Sequence, residues 1–197
     1  MNTAQLHTSL VALHRAMRAC EQAPGLDMWA HGEWVHTHYQ RLYDALLQGQ
    51  APKELQAWFT RALGGDHGCL LSPQEARAYH IYHDCGKPLA LKVDEDGRRH
   101  FPQHADISAA QYALLFPTDI QTRGLIARDM DFHVARGDAI SQAWALPHAP
   151  TLYLTAWAEI YANASMFGGE ASQSFCIKKS RLVQCGKKAP IFNLTKE

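Results

Sequence analysis

The sequence predicts an all-α fold closed by a short irregular or hairpin C-terminal tail. Three observations carry that reading. Apolar residues recur at helical spacing in segment after segment; glycine and proline punctuate the gaps between them; and at Ser72 the chain carries a helix-start signature with a physical mechanism.

Residues 4–20 place Leu6, Leu10, Leu13 and Met17 at helical spacing, a core-facing stripe that Pro24 and Gly25 bring to an end. Trp34 to Leu47 forms a second helix, closed by Gly49 and Pro52, and 53–63 a third, with Leu55, Trp58, Phe59 and Ala62 inward before Gly64 and Gly65. In Ser72-Pro73-Gln74-Glu75, Ser72 can cap, Pro73 suits the first turn, and Glu75 can reach back to complete a capping box. That helix is expected to run to about Lys87, where Pro88 cannot continue it. Residues 89–101 read as extended or turn-like around Asp96-Gly97, and helices follow over about 104–115, 118–134 and 150–167. Gly168-Gly169 breaks the last, and the short apolar runs beyond could pair as a small hairpin. The implied organisation is a main helical domain over 1–168 and a basic extension over 169–197.

A chain of 197 residues, 47% hydrophobic and 19% charged, can bury a sizeable core. Basic and acidic residues balance at 19 each, so no global field draws the protein to nucleic acid. Locally, Lys178, Lys179, Arg181, Lys187 and Lys188 lie within 11 residues with no acid among them. Such a run could touch phosphates or remain a solvated face. The cysteines at 20, 69, 85, 176 and 185 are odd in number and lack CxxC spacing, which argues against a disulfide scaffold and a cysteine-rich zinc knot. With no apolar run approaching 18 residues and no hydrophobic signal core, a cytoplasmic protein without a membrane partner is expected; the oligomeric state stays open.

Twelve histidines are many for this length. Four polar residues, His80, His83, Asp84 and Lys87, fall at offsets 3, 4 and 7 and so share one helix face. Two imidazoles, a carboxylate and an ammonium make poor core but good metal-site material. Their donors suit one or two divalent transition ions, with Mn, Fe, Co, Ni and Zn undistinguished. Gly86 permits close approach beside this face, and Lys87 can direct charge at a phosphate oxygen.

A caged ion needs a histidine from another helix. His38, followed at helical spacing by Leu42 and Leu46, is the first choice and His36 the second. A further acidic ligand is expected at Glu159, which interrupts the apolar stretch from Leu152 to Ala162. His104 and Ser108 lie four apart at a helix start, where phosphate is favoured, and His104 could protonate a leaving oxygen. Asp129 could hold a second metal or orient His104, and Arg128 beside it could offset phosphate charge. His104 is a further possible ligand.

These residues resemble the HD-domain superfamily of metal-dependent phosphohydrolases, whose pattern is a first His, a His-Asp pair and a distal Asp on an all-helical bundle. His38 in Gly32-Glu33-Trp34-Val35-His36-Thr37-His38 would be the first His, and His83-Asp84 the pair. Glu159 would stand at the distal position, a departure from Asp. Gly86-Lys87-Pro88 followed by Phe101-Pro102-Gln103-His104 is similar to the HD domains of bacterial CCA-adding enzymes and of RNA-repair phosphatases; Asp129 departs from the His that branch often carries. The resemblance implies hydrolysis of a phosphomonoester or 2′,3′-cyclic phosphate of a nucleotide or RNA end by metal-activated water. A nucleotidase or cyclic-nucleotide phosphodiesterase acting on free nucleotides, and a non-catalytic metal-binding helical module, are the alternatives.

Overall fold

The structure is a computed structural model and describes residues 3–164, 166 and 168–192. In chain order its elements are α1 (Thr3–Ala19), β1 (Glu21–Ala23), β2 (Leu26–Asp27), α2 (Met28–Leu47), α3 (Lys53–Leu63), α4 (Pro73–Tyr82), α5 (Lys87–Ala90), β3 (Lys92–Val93), β4 (Arg99–His100), α6 (His104–Leu115), α7 (Ile120–Ala127), α8 (Asp131–Val134), α9 (Ala139–Trp144), α10 (Ala149–Ala164) and α11 (Gln173–Lys187). The all-α expectation holds. The strands make two small antiparallel ribbons, β1 with β2 and β3 with β4. Among the described residues no helix is long and apolar enough to cross a membrane.

The chain divides into two compact units, Met1–Trp34 with Ala78–Asp129, and Val35–Arg77 with Met130–Glu197. In the first, α6 packs on α7 and α5, and α1 packs on α5, α6 and β2. Met17, Cys20, Met28 and Cys85 form a buried cluster with Leu13, Trp29, Tyr82 and Phe101 against it. Pro24 and Gly25 do more than end α1: they turn the β1–β2 ribbon, with Gly25 at φ 78°. Asp27 then starts α2 six residues before Trp34, because its Oδ1 accepts the Ala30 N–H at 2.7 Å, an N-cap bond.

The helix from Ser72 keeps its expected capping box: the Glu75 carboxylate accepts the Ser72 N–H at 2.8 Å, and Ser72 Oγ accepts the Glu75 N–H at 3.3 Å. It ends at Tyr82 instead of Lys87. The reason is side-chain competition for backbone groups. His83 Nδ1 takes the His80 carbonyl at 2.7 Å, the acceptor that Asp84 N–H would use in a continuing helix, and Ser108 Oγ takes the Gly86 N–H at 2.8 Å. Residues 83–86 therefore form a turn, and Pro88 falls in the first turn of α5, where a missing N–H costs nothing.

In the second unit, an aromatic core of Trp58, Phe132, Trp144 and Tyr153 has neighbouring ring centroids 4.6–6.1 Å apart. The expected irregular or hairpin tail is corrected here: residues 173–187 are the helix α11. Its apolar runs are one buried helical stripe, Phe175, Leu182 and Cys185, and α11 packs on α3, α8 and α10. Ser172 caps its start by accepting the Phe175 N–H at 3.2 Å, while Arg61 donates to the Gly186 and Ala189 carbonyls at its end. The last five residues of that tail, 193–197, lie outside the described residues. The single helix expected over 118–134 is two, α7 and α8, separated at 128–130.

Candidate metal centre

Two close helix approaches within the first unit build the site. A Cβ placed on Gly32 would lie 2.7 Å from the His80 carbonyl oxygen and 2.9 Å from Ile81 Cα, so α2 and α4 cross there backbone against backbone. A Cβ on Gly86 would run into Ser108 N and the Ile107 backbone, so the 83–86 turn lies equally tight on α6. The first crossing presents His31, the neighbour of Gly32, to the turn; the second presents His104, one helical turn before Ser108.

Everything converges on the Asp84 carboxylate, which is 1% exposed. Around Oδ2 stand Lys87 Nζ at 2.6 Å, His83 Nε2 at 3.2 Å and His31 Nε2 at 3.7 Å. His104 Nε2 lies 3.6 Å from Oδ1, which is buried and accepts no hydrogen bond from the described residues. Burial alone would raise the Asp84 pKa; His83, Lys87 and His31 overcome it and hold the carboxyl well below the usual carboxylate range. The Lys87 ammonium, itself 8% exposed, also donates to Gln22 Oε1 at 2.9 Å and stands 5.4 Å over the Phe101 ring.

The histidine tautomers say what this arrangement accommodates. A backbone carbonyl can only accept, so His83 Nδ1, 2.7 Å from the His80 carbonyl, carries a hydrogen. Neutral His83 then turns the lone pair of Nε2 toward the Asp84 carboxylate, two acceptors 3.2 Å apart. Positive charge relieves that contact: the Lys87 ammonium stands 2.6 Å from the same oxygen, a proton on His83 Nε2 would turn the contact into an ion pair, and a metal ion between the two would serve equally. His104 is fixed the same way, its Nδ1 2.9 Å from the Phe101 carbonyl and its Nε2 toward Asp84. A backbone carbonyl holding one imidazole N–H is the usual outer support of a metal-ligating histidine, and it leaves the other nitrogen able to donate to an ion. His31, His83 and Asp84 offer ligand atoms within 4.8 Å of one another and could hold a divalent cation. Asp129 offers an oxygen within the same distance of the His83 ligand atom, and Tyr79 Oη donates to its Oδ1 at 2.6 Å.

The structure brings together His83, Asp84, Lys87 and His104 as the sequence suggested, and places Asp129 near His83. It differs at the first histidine. His31 stands at Asp84, whereas His38 belongs to the second unit, half-buried with its ring stacked on Tyr161 at 6.1 Å, and His36 is likewise half-buried in that unit. The helical spacing that recommended His38 instead orients a neighbour of core positions Leu42 and Leu46. The signal that locates His31 is Asp27, the cap that starts α2 early enough to include it. Ser108 is fully buried and holds the turn through Gly86 instead of facing a phosphate. Arg128 is exposed at the end of α7. Within the second unit, Glu159 is buried on α10 with its Oε2 3.1 Å from His133 Nε2.

A stretch of 68 residues is 40% identical to part of a CC-adding tRNA nucleotidyltransferase from Thermus thermophilus, covering 30% of this chain and 16% of that protein. The chain thus spans less than a fifth of the relative it matches. No family model matches the chain, and no solved structure matches it. What stands is a predominantly helical protein with a distant, partial nucleotidyltransferase relative and buried His/Asp clusters that could bind a metal.

Proposed function

We propose that the protein is a metal-dependent phosphohydrolase of the HD-domain type, acting on a phosphomonoester or 2′,3′-cyclic phosphate at a nucleotide or RNA end. The observation that carries this is the Asp84 carboxylate faced by His83 and His31, with the Nδ1 hydrogen of His83 spent on a carbonyl. In this reading His31, His83 and Asp84 hold one divalent ion, and Asp129, positioned by Tyr79, is available to a second. A divalent ion bound there lowers the pKa of a coordinated water and polarises the phosphoryl group.

The chain's own residues supply the rest. His104, with Nδ1–H fixed on Phe101 and Nε2 3.6 Å from Asp84, has Nε2 as the atom that gives a proton to the leaving oxygen. Lys87 places an ammonium that can offset charge growing on the phosphoryl oxygens. Gly86 and Ser108 hold the turn that aligns His83, Asp84 and Lys87. The name of the partial relative, a tRNA nucleotidyltransferase, favours a polynucleotide end over a free nucleotide as substrate.

The test pairs metal analysis with turnover. Purified protein should retain a divalent transition metal and hydrolyse one member of a phosphoester panel that includes 2′,3′-cyclic nucleotides, mononucleotides and phosphorylated oligonucleotides. His83→Ala should stay folded by circular dichroism and lose both properties. Full activity in that variant, or bound metal with no turnover across the panel, overturns the proposal.

A further inference from the structure

The second unit carries a groove of about 740 Å³ between the α8–α9 connection and α11. Its walls hold Arg136, Arg181, Lys187 and Lys188 and no acidic residue. Three of the four donate to neutral backbone oxygens: Arg136 to the Val134 and Ala135 carbonyls, Arg181 to the His133 carbonyl at 2.7 Å, and Lys188 to the Gly137 carbonyl at 3.4 Å. None of the four forms an ion pair with a carboxylate among the described residues. Lys179, on the same helix but outside the groove, shows the ordinary alternative, pairing with Glu54 at 3.4 Å. The groove therefore gathers four positive charges, three of them oriented by backbone carbonyls, with no carboxylate among the described residues paired to any of them.

Arg181, Gln184 and Lys188 stand at i, i+3 and i+7, one face of α11 with a run of about 10 Å along the axis, and Arg136 faces them from the other wall. A row of that length exceeds one phosphate group and suits successive phosphates of a strand. No aromatic residue lines the groove, so it offers no platform for stacking bases. We infer that this groove is a binding site for the phosphodiester backbone of a nucleic-acid strand, read by charge and without base preference. The inference depends on the groove's charge alone and is separable from the metal chemistry proposed above.

The experiment is fluorescence anisotropy of the full chain with a 5′-labelled, unstructured 20-residue oligouridylate, in EDTA, across 50–300 mM KCl. Each single-strand phosphate neutralised contributes about −0.7 to the slope of log K against log salt, so four cations give about −3. Arg136→Gln, Lys187→Gln and Lys188→Gln, combined at exposed positions, should weaken binding at low salt by on the order of tenfold or more and flatten the slope by about 2. Circular dichroism checks the fold of that variant. The assay runs in EDTA, so failure of the metal reading leaves its outcome unchanged, and Lys179→Gln, on the same helix but outside the groove, should bind the oligonucleotide nearly as the unaltered chain does. Four results overturn the inference: no binding at 50 mM salt, unchanged affinity in the triple variant, equal competition by adenosine monophosphate at matched phosphate concentration, or binding to phosphatidylserine vesicles in place of RNA.

Discussion

Substituting Gly32 by Ala tests the helix crossing that delivers His31. In a helix interior the change ordinarily stabilises by about 0.5–1 kcal/mol, because alanine loses less backbone freedom on folding. At Gly32 the new Cβ meets the His80 oxygen at 2.7 Å, Ile81 Cα at 2.9 Å and the Ile81 oxygen at 3.0 Å, all backbone atoms with no rotamer to yield. Relieving that contact shifts α2 off α4, an overpacking cost of about 1–3 kcal/mol. The second effect wins, for a net loss of about 1–2 kcal/mol, or roughly 2–8 °C in melting temperature at this chain length. Gly124→Ala in α7 is the matched control: nothing lies within 4 Å of its Cβ, so only the propensity gain of about 0.5–1 kcal/mol remains. Thermal melts with and without Mn²⁺ or Zn²⁺ read both variants. Gly124→Ala should melt higher with an unchanged metal response. Gly32→Ala should melt lower and respond less to metal, because the shift carries His31 away from Asp84. A Gly32→Ala protein as stable as the unaltered chain, with full metal response, would refute the crossing as the device that places His31.

Three further outcomes follow from the same geometry. Lys87→Met removes the ammonium 2.6 Å from the buried Asp84 carboxylate, so in EDTA the melting temperature should fall by the equivalent of about 3 kcal/mol, and divalent metal should restore more stability to the variant than to the unaltered chain. At Asp119, burial raises the pKa but the Tyr112 hydroxyl at 2.7 Å and the Thr122 N–H at 3.0 Å outweigh it and hold the carboxyl low. A depressed folded pKa contributes stability that is complete above the unfolded value of about 3.9 and is lost as pH falls through the folded one, so acid melts of Asp119→Ala should lose that limb and about 1 kcal/mol of capping at neutral pH. Cys85 is fully buried against the Ser108 carbonyl at 3.4 Å, whereas Cys176 is exposed; iodoacetamide should label Cys176 in the native protein and spare Cys85 until denaturant is added, read by peptide mass spectrometry.

The helices were legible where local chemistry alone decides them. Leu55, Trp58, Phe59 and Ala62 keep helical spacing and are buried on α3, whose expected span of 53–63 matches the structure because Gly64, at φ 63°, can end it in the left-handed region. The capping box at Ser72 behaves likewise. The tail was misread for a different reason. The buried stripe of α11 is thin, with Phe175 and Leu182 seven residues apart and apolar Ile177 exposed between them, and it becomes a helix face only once Tyr153, Arg61 and Trp144 are present to receive it. Tertiary packing decides such a segment, and local propensity does not.

The same division explains the candidate site. His83 and Asp84 drew attention through offsets that presume an unbroken helix, yet the helix stops at Tyr82 and the pair sits in a turn. Asp84 and Lys87 meet all the same, because a turn built on i to i−3 backbone bonds also brings residues three apart together, as the Cys85 N–H to Tyr82 carbonyl and Lys87 N–H to Asp84 carbonyl bonds show. What the spacing could not contain is the role of Ser108, 22 residues on, which takes the Gly86 N–H from the helix ladder. Nor could it supply His31, hidden behind a helix start placed at Trp34 when Asp27 caps it at Met28. Which histidine stands at Asp84 thus turned on one N-cap. A buried carboxylate facing imidazoles whose other nitrogens are fixed on carbonyls is a more specific pointer to a cation site than any spacing, because the carbonyls leave the facing nitrogens free to act as donors to an ion.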